Sequence, residues 1–366
     1  MTSNGGHLLR QEIGTLVEGV RHEIASVATT VPQGRHATSA TIAVLLATTC
    51  AQFLHLENPA WAAISGFMIT QASAPAAWRR GLLRLAGTMT GAALGVLLAS
   101  WLLYDIVACT LVMMLAAFIG ILGQLTSRYG YAWLLSSITL FMVLLGAVSN
   151  PPAALTTAIY RTLEVLVGTG IAMLTTWALM PPADAAAPAP LPAPEPHVIA
   201  HAIRSAIAVG LVPLVWIWLD LPGLSQMAVT VAAVMAVPAL TGHQADDRAI
   251  VVRRSLQRVI GCLIGGLAAL GILALSLQSY LPWLAALGVG VWVGTFVHAG
   301  RSKVTYVGTQ GVVAFIITLV QGLGPPDSLA PAVQRMAGIL VGLLVLLAVN
   351  IVLTPDQASP DVDSES

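Results

Sequence analysis

From His36 to Thr354 the chain is a succession of apolar stretches, each close to the length that crosses lipid, separated by short breaks of charge, proline or glycine. A hydrocarbon core of about 30 Å needs about 20 apolar residues per helix. Twelve stretches fit: 36–56, 60–77, 82–103, 106–126, 131–149 and 156–180, then 198–219, 224–240, 255–277, 281–299, 304–322 and 332–354. The second and eighth are the least marked, so a short, tilted or partly re-entrant course is open to them. A mean hydropathy of +0.85 with 9% charged residues excludes a soluble globular chain of this length. The runs are longer and more continuously apolar than the alternating ten-residue segments of an outer-membrane barrel, so helices are expected.

The bases order these helices across the bilayer. Arg10, Arg21 and Arg35 precede the first span, Arg79, Arg80 and Arg84 fall between spans two and three, and Arg128 falls between four and five. Arg204 begins span seven, Arg248, Arg253, Arg254 and Arg258 fall between eight and nine, and Arg301 and Lys303 between ten and eleven. With twelve crossings all of these lie on one side, which the positive-inside rule makes the cytoplasm, together with both termini. Arg161 and Arg335 remain on the other side.

Outside the spans, Leu9, Ile13, Leu16, Val20, Ile24 and Val27 recur at helical spacing among charges, so residues 1–35 are expected to form an amphipathic helix on the cytoplasmic face of the membrane, or packed on a partner. No charged region followed by an apolar core precedes it, so a cleavable signal peptide is not expected. Residues 181–197 are a proline- and alanine-rich cytoplasmic spacer. The acidic residues 355–366 have the composition of a disordered tail. Cys50, Cys109 and Cys262 have no paired spacing, so neither a disulfide framework nor a metal site is expected. The zero net charge gives no reason to expect nucleic acid.

The spacer divides a duplication. "RRGLLRLAGTMTG" (Arg79–Gly91) returns as "RRSLQRVIGCLIG" (Arg253–Gly265), at a separation of 174 that also relates Gly87 to Gly261, Pro151 to Pro325 and Arg161 to Arg335. Upstream, "HATSATIAV" from His36 returns from His201 at a separation of 165. Six spans separate equivalent positions. The expected fold is therefore an all-α polytopic membrane protein of about twelve transmembrane helices, built as two parallel six-helix repeats, 36–180 and 198–354. Their pseudo-twofold axis lies along the membrane normal. Parallel repeats are a transporter design with the pathway near their interface. Pro213 and Pro238, inside spans seven and eight, have no proline at the repeat-equivalent positions in spans one and two, so a kink there would make the halves unequal.

The small residues Gly87, Gly91, Gly261 and Gly265 are expected to admit a neighbouring helix backbone. Arg79, Arg80, Arg253 and Arg254 either serve topology and snorkel to lipid phosphates or surround a cytoplasmic vestibule that gathers anions; Arg84 and Arg258 lie nearest the apolar interior. Arg161 and Arg335 stand about one turn inside their spans, where a cation is costly. Glu164 can pair with Arg161, whereas Gly338 occupies the matching place beside Arg335. This is either a structural ion pair with a snorkelling arginine, or an asymmetric carboxylate site with Glu164 as proton carrier. His298 reads as interfacial, and Trp61, Trp78, Trp101, Trp133, Trp177, Trp218 and Trp283 as an aromatic belt.

Nucleotide-binding, zinc-protease and serine-hydrolase signatures are absent from the sequence, so an ATP-driven pump or an enzyme is not expected and no cofactor is implied. The motifs "NPAWAA" (Asn58–Ala63), the repeated "RxxGxxxG" at Arg84 and Arg258, "PP…RxxExxxG" across Pro151–Gly168 and "QGLGPPD…QRMAGILVG" around Arg335 together resemble the fusaric-acid-resistance and aromatic acid exporter (FUSC) family of bacterial inner-membrane proteins. The resemblance implies efflux of aromatic or other small organic acids, often with a periplasmic adaptor protein. In place of the soluble domain that longer exporters carry between their halves stands the proline-alanine spacer. The expectation is a proton-driven carboxylate exporter acting as a monomer or homo-oligomer; the alternatives are a passive anion channel and a non-transport scaffold or assembly subunit. Arg161, Glu164 and Arg335 are the expected anion site, and Arg84 and Arg258 its cytoplasmic approach.

Overall fold

The computed structural model describes residues 3–25, 31–102, 105–180, 195–219, 224–237, 240, 244–275, 277, 279–300, 304–326, 328 and 330–353. Most of the spacer, the acidic tail, Asp220, Pro238, Arg301, Lys303 and Asp327 lie outside these residues, as do the side chains of Arg10, Arg248 and Arg335.

Among the described residues the chain is all helix: α1 (Ser3–Ala25), α2 (Val31–Phe53), α3 (Pro59–Ile69), α4 (Ala74–Leu102), α5 (Ile106–Thr126), α6 (Gly130–Ser149), α7 (Ala154–Leu179), α8 (Pro196–Leu219), α9 (Leu224–Met235), α10 (Gln244–Ala274), α11 (Tyr280–His298), α12 (Thr305–Leu319) and α13 (Ala330–Leu353). Seven helical stretches are long and apolar enough to cross a membrane by length and composition, with shorter apolar helices among them. Their outward faces carry exposed Leu82, Met89 and Leu97 on α4, Leu111 and Leu115 on α5, and Leu155, Ile159 and Leu166 on α7. Such a continuous apolar exterior suits lipid rather than water, and the chain is a multi-pass membrane protein.

The second apolar stretch does not run through to residue 77. α3 is 11 residues long and stops at Ile69. At 1.5 Å per residue it covers only about half of a hydrocarbon core. It survives because it is an interior helix: nine of its residues, including Ala60, Ile64, Ser65 and Phe67, are buried. α4 then begins at Ala74, with Pro75 in its first turn where no backbone donor is lost, so Arg79 and Arg80 stand on a helix rather than in a loop. α10 likewise starts well before residue 255 and carries Arg253 and Arg254. Both departures have one cause: arginine is a good helix former, and helices continue past the apolar run.

Short interior helices free backbone carbonyls inside the bundle, where no water can satisfy them. Neighbouring side chains do so. Gln124 Nε2 donates to Val237 O at 3.2 Å and His201 Nε2 to Met235 O at 2.8 Å below α9. Trp283 Nε1 donates to Leu319 O at 3.2 Å at the end of α12. Trp283 is fully buried and faces inward, unlike Trp101, Trp177 and Trp218, which stand on the exterior as an aromatic belt requires.

The packing is paired. α4 lies along α6 and α10 along α12; α3 sits against α2 and α7, and α9 against α8 and α13; α5 packs on α8 and α11 on α2. Gly87 lies against the Ala132 backbone and Gly91 against Ser136, while Gly261 lies against Val307 and Gly265 against Gly311. A Cβ at any of the four would overlap the backbone of the neighbouring helix. α1 docks Leu16 and Val20 on Val297, Val304 and Val307, and leaves Ile13 and Val17 exposed.

Candidate functional site

The starts of α4, α6 and α12 and the ends of α5 and α11 come together, with the basic stretch of α10 beside them. They surround a cavity of about 620 Å³. Its polar lining includes Arg80, Arg84, Gln124, Tyr131, Arg254, Arg258, His298, Tyr306 and Gln310; farther in, Trp61, Ile138, Ile317, Met336 and Ile339 make it apolar.

Four guanidinium groups therefore share one chamber, and each is fixed by neutral partners. Arg84 donates from Nε to Ser65 Oγ at 3.1 Å and from Nη1 to Tyr131 Oη at 2.9 Å. Arg258 donates from Nη1 to Gln310 Oε1 at 2.6 Å and from Nη2 to Thr230 Oγ1 at 3.2 Å. Both arginines are buried, at 4% and 6% exposure. Arg80 lies over the Tyr131 ring at 4.5 Å and Arg254 over the Tyr306 ring at 3.9 Å. Among the described lining residues none is acidic. Positive charge held in low dielectric with no acid in its described lining makes a site for an anion, and the apolar inner wall suits an organic body attached to it.

Of the residues expected to bind substrate, the cavity brings Arg84 and Arg258 together and leaves Arg161 and Glu164 outside its lining. Arg161 Nη1 meets Glu164 Oε2 at 3.1 Å, and Glu164 Oε1 accepts the Asn58 backbone N–H at 2.6 Å. The Arg161 guanidinium stacks over the Trp61 ring at 4.2 Å. Trp61 is the link between the two places: it lines the inner end of the cavity and carries Arg161 on its face, so it is not a belt residue. Arg335 is on α13, where the next residue, Met336, lines the cavity; its own side chain lies outside the described residues. Arg79 and Arg253 do not line the chamber, and Arg79 donates to Arg128 O at 3.4 Å at the surface.

Tyr131, Tyr306, Ser65, Thr230 and Gln310 escaped the sequence reading. A signal for four of them was present: Ser65 and Thr230 are 165 apart, the register of the first spans, and Tyr131 and Tyr306 are 175 apart, one residue from the register of the arginines. His298, read as interfacial, lines the cavity, with Nδ1 2.8 Å from Thr309 Oγ1 and its ring edge-on to Phe67.

Over 166 residues the chain is 26% identical to the p-hydroxybenzoic acid efflux pump subunit AaeB of Musicola paradisiaca (strain Ech703). The match takes in 44% of this chain and spans a quarter (25%) of that relative's length. No solved structure matches the chain. The fusaric acid resistance protein family matches it in two stretches, residues 33–189 and 198–366, so the chain belongs to that family.

Proposed function

We propose that this protein exports small organic acids, aromatic ones above all, from the cytoplasm across the bacterial inner membrane, with both termini in the cytoplasm. The observation that carries the reading is the chamber holding Arg80, Arg84, Arg254 and Arg258, with no acid in its described lining and an apolar inner wall. Efflux of p-hydroxybenzoic acid by the pump that the relative is a subunit of supports the substrate class.

The architecture proposed is about twelve crossings in two parallel repeats, 36–180 and 198–354, about an axis along the membrane normal. It is joined by the spacer 181–197, preceded by the surface helix of 1–35 and followed by the tail 355–366. The paired contacts support it. Gly168 lies on Ala62 and Gly342 on Met227, and these pairs are related by the separations of 174 and 165 that relate the arginines and the first spans.

Arg84 and Arg258 receive the carboxylate from the cytoplasmic end, where Arg79, Arg80, Arg253 and Arg254 raise its local concentration. Trp61 partitions this chamber from Arg161 and Glu164, which with Arg335 form the next station outward, Glu164 serving as proton carrier. The proton gradient is the energy source proposed, since the sequence contains no nucleotide-binding loop. A periplasmic adaptor would receive the product. Replacing Arg335 with alanine is expected to abolish export while insertion, judged by membrane yield, is kept; full export by that variant removes Arg335 from the route.

A passive anion channel is the second reading, favoured by the lack of an acidic side chain in the described cavity lining. A membrane potential of 100 mV, negative inside, already drives each anionic charge outward by about 2.3 kcal/mol. Purified protein in liposomes separates the two with radiolabelled p-hydroxybenzoate. Accumulation driven by a pH gradient at zero potential is the result expected of the carrier, and flux that follows only the potential is that of the channel. No flux under either condition rejects transport by this chain alone.

A further inference from the structure

Resting on the reading of the arginine chamber as the substrate site, we infer that it contains two anion subsites, one centred on Arg84 and the other on Arg258, so that it engages two carboxylates at once. They are carried either by one organic dianion or by two monoanions.

The two arginines are held by different elements. Arg84 of α4 is bound to Ser65 of α3 and Tyr131 of α6; Arg258 of α10 is bound to Thr230 of α9 and Gln310 of α12. Each set is complete in itself, and neither arginine draws on the other's partners.

Both sets also keep donors in reserve. A guanidinium offers five N–H donors. Arg84 commits Nε and one hydrogen of Nη1. Arg258 commits Nη1 and Nη2, and its buried Nε has no hydrogen-bond partner among the described residues. A buried, charged donor left without an acceptor is costly, and a ligand oxygen removes that cost.

The partners themselves are the second donor in each place. Tyr131 accepts from Arg84 through Oη, which leaves its own O–H to give; Gln310 accepts through Oε1, which leaves its amide N–H groups. A carboxylate has two oxygens. Each subsite can therefore present a guanidinium and a neutral donor, the pairing that two carboxylate oxygens take.

Charge and room point the same way. A single monoanion leaves most of the four guanidinium charges uncompensated, whereas two carboxylates bring the chamber halfway to neutrality. At about 620 Å³ the cavity falls within the range of roughly 300–1,000 Å³ that encloses drug-sized ligands, larger than a single-ring acid. Joining two carboxylates in one molecule makes the second contact intramolecular, and linked contacts exceed single ones by about 10²–10⁴ in affinity when the geometry allows both.

The test is calorimetry on the purified full chain in detergent at neutral pH. The probes are benzoate and a series of rigid dicarboxylates from benzene-1,4-dicarboxylate to biphenyl-4,4′-dicarboxylate. The expected result is two benzoates per chain, and one dicarboxylate per chain bound at least tenfold tighter than benzoate by the best-fitting member. Arg84→Gln and Arg258→Gln should each reduce benzoate to one per chain and bring dicarboxylate affinity down to the benzoate level. Arg84→Lys and Arg258→Lys, which keep the charge, serve if a glutamine variant fails to fold, and each should lower dicarboxylate affinity more than benzoate affinity. One benzoate per chain, with no dicarboxylate bound more tightly, overturns the second subsite and leaves the transport site standing. Binding of neither probe to the wild-type chain overturns the chamber as the substrate site altogether.

Discussion

Replacing Glu164 with leucine is expected to destabilise the protein by about 3–5 kcal/mol, the loss that follows when one partner of a buried ion pair is removed. Arg161 and Glu164 are both buried, at 8% and 1% exposure, and their side chains meet at 3.1 Å. The same carboxylate accepts the Asn58 N–H at the start of α3, so it joins α7 to the turn that launches α3. Arg161 in turn lies on Trp61 in the first turn of α3. Without the carboxylate a buried guanidinium stays in low dielectric with this ion pair gone. Replacing both residues, Arg161→Met with Glu164→Leu, should recover most of the loss, because apolar side chains of similar volume remove the charge and the debt together. Thermal unfolding in detergent measures both. A Glu164→Leu protein within about 1 kcal/mol of wild type would show that the pair is held open to water rather than buried.

How much of this was legible before the structure depends on the kind of residue. The apolar runs located the helices, and the basic phrase at Arg79–Gly91 and Arg253–Gly265 marked out the arginines of the cavity wall, because charge is rare in this chain and stands out. The end of α3 was not legible: residues 70–77 stay largely apolar after Ile69, and only Pro75 hints at a new helix. The neutral half of the site was hidden for a physical reason. Ser65 is an ordinary buried serine until Arg84, 19 residues on, reaches it, and Gln310 becomes an arginine partner only through a helix 52 residues away. Trp61 shows the converse error. A tryptophan near a span end reads as interfacial, yet α3 is too short to carry this one to the lipid boundary, and it faces the cavity under Arg161 instead. The Arg161–Glu164 pair was legible as a pair from its spacing, but not its place behind Trp61, which depends on how α3 meets α7.

That same α3–α7 contact gives an opposed pair of outcomes two residues apart on one helix. Gly168→Val is expected to abolish the folded state, while Gly170→Ala leaves stability unchanged or slightly raised. A Cβ on Gly168 would fall on the Ala62 carbonyl oxygen, with the Ala62 carbon and the Ser65 Cβ each at 2.8 Å. Backbone cannot rotate away as a side-chain tip can, so α3 itself would have to move. Overpacking by a methyl group costs about 1–3 kcal/mol in a well-packed core, and valine adds two more carbons against a rigid neighbour. The displacement would not stay local, since Ser65 holds Arg84 and Trp61 carries Arg161. A Cβ on Gly170 meets nothing within 4 Å, so alanine there brings only its better helix propensity, up to about 1 kcal/mol. Gly342→Val should repeat the Gly168 result, because its Cβ would press on the Met227 backbone at 2.7–2.9 Å. The yield of monodisperse protein after detergent extraction, followed by thermal unfolding, reads all three. Equal behaviour of the Gly168 and Gly170 variants would mean that α3 does not rest on α7, and Ser65 and Trp61 would then lose the support that places them at the cavity.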